Sequence, residues 1–243
     1  MNTNNPFYQY LHSHLTFQIF GTSHLIVLIT SLLICIFLPL WAKKYATPAT
    51  QHLIGKAIGW TIIISWVLAV MLEILAGTFD IKIHLPLQLC YFCNLIILSV
   101  LQYRSFKWFE LMYFWVFAGT LQATLTPDLE HNFPHFGFFR YFIGHAGLIL
   151  AIVYAIVVYE MKPNKHSIWK AFLATNVYMF AVSAVNYAID ANYFYTCAKP
   201  QKASLLDALG EWPWYIVKGE FLTLLFYIIL FLPFAFQRKK KIS

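Results

Sequence analysis

Charge is scarce in this sequence. Asp, Glu, Lys and Arg make up 11% of 243 residues while 60% are hydrophobic, and a soluble domain carries about a quarter charged residues. That deficit excludes a soluble globular domain and predicts one integral membrane domain. Cysteine is scarce as well. Its four residues are too few for a disulfide framework, and Cys35, Cys90 and Cys93 lie in apolar runs, which leaves Cys197 alone in a loop. Residues 1–23 contain no Lys or Arg, so the basic start of a cleavable signal is missing and no processing is expected. There is no fixed-period repeat and no low-complexity tract. The formal charge of +7 would suggest nucleic acid in a soluble protein. Here the basic residues fall between apolar runs and act as a topology signal, so no nucleic-acid partner is expected.

Hydrophobic runs are abundant. A bilayer core of about 30 Å needs roughly 20 apolar residues per helix, and seven segments qualify: 24–41, 57–79, 84–103, 108–127, 139–161, 167–190 and 214–236. The fold expected is an all-α membrane protein of seven transmembrane helices in a single polytopic domain. An outer segment 1–23 precedes the bundle 24–236, and a basic cytoplasmic tail 237–243 follows it. Alternate loops and the C-terminus hold 12 of the 17 basic residues. The positive-inside rule then places the N-terminus outside and the C-terminus in the cytoplasm of a multi-pass cell-membrane protein.

Polar side chains within apolar spans are costly and usually face a cavity or one another. Counting about 1.5 Å per residue from the outer end of each span puts Glu73, Cys90, His145 and Glu220 at one depth. Gln122 and Asn186 lie nearer the surface, and His24 and His84 at the rim. A single pocket open to the outer leaflet gathers them. In HLPLQLCYFCN, residues 84–94, Cys90, Cys93 and Asn94 are spaced i, i+3 and i+4, so on a helix they share a face. A thiol beside an imidazole can lose its proton and attack an ester, which makes Cys90 and His145 the candidate catalytic pair. Glu73, Gln122 and Glu220 are candidates to orient the imidazole. Gln88, Gln122 and Asn186 also suit interhelical hydrogen bonding, and His24 and His84 suit helix-end support. Zinc held by His84, Cys90, Cys93 and His145 competes with this, as does a transporter or receptor built on Glu73 and Glu220, or a scaffold whose polar layer is only structural. The thiol chemistry itself needs no metal and no cofactor.

Several ordered motifs point further. HLPLQLC, FAGTLQATLTPD, FPHFGFFRYFIGH, the Asn-Tyr at 186 and 187, and LLDALGEWPWY resemble the bacterial YwaF-like integral membrane proteins over nearly the whole chain. That family is similar to vertebrate multispanning acyltransferases that use a membrane Cys and His to move a fatty acyl chain onto a lysophospholipid, and more distantly to the androgen-induced membrane hydrolases, which use Thr and His. The resemblance implies Cys90 as the thiol and His145 as its partner. It also implies membrane lipids, with a lysophospholipid or lipid-anchored acceptor, as partners. Cys93 departs from the pattern.

Overall fold

The computed structural model describes residues 5–13, 15–200 and 205–235, so the basic tail expected at 237–243 lies outside the described residues. Among the described residues the structure is helical, apart from one isolated β-bridge between Thr16 and His131. A short α1 (Pro6–Leu11) leads into α2 (Thr22–Tyr45) and α3 (Pro48–Ala76). Then come α4 (Leu89–Leu101), α5 (Phe106–Trp115), a π-helical turn (Val116–Thr120) and α6 (Leu121–Leu125). The chain closes with α7 (Phe136–Val157), α8 (Lys165–Ile189) and α9 (Trp214–Ala235). Of these, α2, α3, α7, α8 and α9 are long and apolar enough to cross a membrane.

Local chemistry sets the helix ends. Thr47 caps α3, its hydroxyl accepting from the Thr50 N–H, and Pro48 supplies a first helical residue with no spare N–H. Gly77 ends the same helix at φ 74°, the left-handed conformation in which glycine carries no Cβ penalty. Asn164 and Ser167 form a capping box at the start of α8. Lys43 and Lys44 close α2, where the helix dipole favours cations.

Three boundaries correct the expectations. The second helix begins at Pro48, ahead of the expected 57, so Lys56 is helical and not a loop cation. The third does not begin at His84: residues 79–88 are turns and bends, and helix starts at Leu89 after Gln88. Pro86 explains this, since it lacks a donor and disfavours helix at the residue before it. The fourth is one run from Phe106 to Leu125 whose middle loosens into the π turn.

α7 is the central post. More than half of its apolar window, 56%, is buried, against 11% for α9 and 17% for α2. It packs against α2, α3, α4 and α6, and small residues allow the close approach. A Cβ on Gly147 would meet Ile62 of α3 at 2.9 Å, and one on Gly144 would meet the Asn94 amide of α4 at 3.0 Å. One end of this bundle is covered by α1, by 77–88, by 126–135 and by 190–200, held together by contacts such as Lys82 Nζ to Asp190 at 2.8 Å and the Leu85 N–H to the Tyr193 hydroxyl at 2.9 Å. We call it the capped end. At the opposite, basic end Lys43 pairs with Glu160 and the Arg104 guanidinium lies over the Tyr159 ring.

Candidate functional site

Cys90 is the second residue of α4, in the turn whose backbone N–H groups have no helical acceptor. Such a turn favours negative charge. Its Sγ lies 3.4 Å from the Thr120 hydroxyl, which belongs to the last residue of the π turn. π turns are rare and recur at functional sites, and Thr120 was not singled out in the sequence because VFAGT gives no sign of one.

His145 is buried on α7. Its Nδ1 lies 2.9 Å from the Tyr141 carbonyl, an oxygen that can only accept, so Nδ1 carries the proton and Nε2 is left as the basic nitrogen. The ring stacks on Tyr141 at 4.1 Å and meets the edge of Tyr91 at 6.5 Å. Tyr141 in turn hydrogen-bonds the Ala123 carbonyl on α6. Tyr91 neighbours both groups, next to Cys90 in the chain and edge-on to the imidazole, and no hydrogen bond joins sulfur and imidazole among the described residues. They are also not level. Asn94, one turn below Cys90, is the α4 residue that abuts Gly144, so His145 lies about a turn deeper than the thiol. The equal-depth count failed because α4 starts five residues after the expected 84.

Beside His145 is a cavity of about 10 Å³ lined by Ser65, Tyr91, Asn94, Arg140, Gly144 and His145, among others. The Ser65 hydroxyl and the Asn94 carbonyl oxygen are buried there without a hydrogen-bond partner. The space is about that of one water. Arg140, which the sequence places at a loop edge, stands in α7 with its guanidinium 3.2 Å from the Tyr91 hydroxyl.

The remaining predicted residues divide. Glu73 lies 3.8 Å from His84 Nε2 and accepts from the Thr78 hydroxyl at 2.6 Å, so both tie the end of α3 to the loop that follows. His24 is buried, taking the Phe20 N–H on Nδ1 and donating from Nε2 to the Thr124 carbonyl. Gln88 accepts from the Phe194 N–H, and Asn186 binds the backbone of Tyr193 and the Thr196 hydroxyl. Glu220 accepts from Asn176 on α8, away from the pair. Gln122 is exposed on the outside of α6, and Cys93 is packed in the apolar core. Glu73, Gln122 and Glu220 therefore do not orient the imidazole; the Tyr141 carbonyl does. The zinc arrangement also fails, since among the described residues no three His, Cys, Asp or Glu side chains gather around a common point.

The basic half of the bundle also holds buried polar groups. Glu110, 3% exposed, accepts from Ser167 at 2.6 Å and from Lys170 at 2.7 Å. Trp115, Thr175 and Tyr227 form a buried hydrogen-bonded chain.

A groove of about 540 Å³ runs along α2, α3 and α7, lined by residues such as Ile34, Ile58, Phe142 and Leu150. Ile62 lines both this groove and the cavity at His145.

No curated protein and no solved structure matches this sequence. A family model does, over residues 19–231, a match that takes in every helix from α2 to most of α9. The chain is a multi-pass membrane protein and belongs to the TMEM164 family.

Proposed function

We propose that the protein is a membrane acyltransferase or transacylase acting on phospholipid or lipid-anchored substrates, with lipid hydrolysis as the outcome when water is the acceptor. The observation that carries this reading is the state of two side chains on the neighbouring helices α4 and α7. A thiol in the first turn of α4 faces the Thr120 hydroxyl, and one turn deeper an imidazole has its Nδ1 committed to a backbone carbonyl and its Nε2 left basic. In the first step the Cys90 sulfur bonds to the acyl carbonyl carbon as its proton passes to His145. The ester C–O bond then breaks, and the lysolipid alkoxide leaves with that proton. In the second step an acceptor hydroxyl gives its proton to His145 and attacks the thioester, and the proton returns to the sulfur. The open N–H groups at the start of α4 suit the transient oxyanion. Catalytic hydrogen bonds commonly close only once substrate is bound, which is consistent with the absence of one between the two groups here.

The groove along α2, α3 and α7 suits the hydrocarbon chain, since it is apolar and adjoins the His145 cavity at Ile62. We also propose seven membrane crossings in the cell membrane, with α4 and the run from α5 to α6 adding to the long helices. The capped end and N-terminus then lie outside and the C-terminus in the cytoplasm, as the basic residues favour. The test is turnover of a labelled phospholipid by protein reconstituted in vesicles, with trapping of a thioester on Cys90. Wild-type turnover that survives both Cys90→Ala and His145→Ala removes the mechanism.

A further inference from the structure

A chamber of about 340 Å³ lies at the capped end, above the small cavity at His145. Arg140, Tyr91 and Tyr141 line it on one side, and His131, His135 and Glu73 on others. Arg140 and Tyr91 belong to both spaces, so they form part of the wall between the chamber and the cavity at the imidazole. An arginine within a membrane helix is expensive and ordinarily has a carboxylate partner or a ligand. Among the described residues Arg140 has no carboxylate within ion-pair distance. Its contacts are the Tyr91 hydroxyl at 3.2 Å and the face of the same ring at 5.6 Å. Five donors on a planar fork are therefore held by one neutral oxygen.

We propose that Arg140 is an oxyanion-binding residue, and that its ligand is the phosphodiester of a membrane lipid seated in this chamber. The chemistry follows from the donor, since a guanidinium is matched to the two free oxygens of a phosphodiester by paired N–H···O bonds. The charge follows from the walls. Glu73 and Glu130 also line the chamber, so a free phosphate dianion meets more repulsion than a singly charged phosphodiester carrying apolar chains. Position follows from the shared wall: a phosphate on Arg140 sets the glycerol esters of that lipid beside the wall that the chamber shares with the cavity at His145. The inference extends the lipid function proposed above, but binding itself needs no acyl step.

The test uses the full chain in detergent and measures equilibrium binding of three probes: dihexanoyl phosphatidylmethanol, dihexanoylglycerol, and inorganic phosphate. Wild-type protein is expected to bind the phosphodiester lipid about 10- to 100-fold more tightly than the diacylglycerol of the same chains. Arg140→Gln should erase that preference to within about twofold, and Arg140→Lys, which keeps the charge and loses the fork, should retain part of it. Equal binding of the two lipids by wild type, or an unchanged preference in Arg140→Gln, overturns the proposal. Arg140-dependent displacement of the lipid by inorganic phosphate overturns the lipid source in favour of a free anion. Should Arg140→Gln not fold, Arg140→Lys decides, because a preference equal to wild type removes the paired-bond argument. None of these readouts requires turnover, so loss of the acyl mechanism and loss of this site are told apart.

Discussion

Two charged groups within the helices are treated oppositely. At the basic end Glu110 is closed in by the Ser167 hydroxyl and the Lys170 ammonium, and its helix packs tightly against α8. At the capped end Arg140 has a tyrosine and an open chamber. The first is a satisfied knot that fixes α5 to α8; the second holds N–H donors that no carboxylate meets within ion-pair distance among the described residues. Buried polar groups that are fully partnered specify a packing, whereas those left short mark where something else is received.

The largest effect expected is at the candidate pair. Cys90→Ala and His145→Ala should each lower acyl turnover in vesicles by about 10²- to 10⁴-fold while leaving the thermal unfolding midpoint near that of wild type. A loss of folding in step with activity would make both residues part of the packing instead. Next is Glu110→Ala, which strands the Ser167 hydroxyl and should cost about 1–3 kcal/mol in stability; turnover per folded molecule should not change. If Glu110→Ala is neutral, the contrast between the two ends collapses. Ser65→Ala comes third. It removes an orphaned hydroxyl and should change stability by about 1 kcal/mol or less, in the stabilising direction if the cavity is dry and the destabilising one if a water bridges Ser65 and Asn94. Chemical denaturation in mild detergent gives the sign.

The smallest effect concerns His131, in the strap where Thr16 pairs with it. Burial first, and the stacked His135 at 4.0 Å second, hold its pKa below the ordinary histidine value, while Glu130 opposes them. A histidine whose folded-state pKa is lowered is favoured neutral, so stability is full above the unfolded value near 6.5 and declines as pH falls below it. The protection factor against hydrogen exchange at Phe17 and Asn132, whose N–H groups bond across the strap, should fall below about pH 6.5 in wild type. In His131→Gln the acid dependence should shrink.

Much of this architecture is readable in the residues. Apolar runs locate the helices from α2 to α9, and the i, i+3, i+4 spacing puts Cys90, Cys93 and Asn94 on α4. What the spacing cannot supply is direction and register. Cys93 turns into the core while Asn94 meets Gly144, because α7 approaches from only one side of α4. Glu73 and His84 look like site residues by depth, yet their oxygen and nitrogen serve the loop at 77–88. Arg140 was missed because a cation at the edge of an apolar run looks like a topology marker, and only the fold shows that it faces a chamber. The π turn that presents Thr120 follows from packing between neighbours and has no local sequence signature.

The brevity of α4 has a consequence of its own. Its 13 residues span about 20 Å, roughly 10 Å less than a hydrocarbon core. In the seven-span arrangement the rest of that crossing falls to the irregular chain at 79–88, whose peptide groups have no helix to pair them. Tyrosine hydroxyls act as substitute rungs: Tyr193 receives the Leu85 N–H and donates to the Ile81 carbonyl, while Tyr178 donates to that of Leu87. The chain that leads into the helix of the thiol is thus pinned by phenols about a hundred places downstream of it.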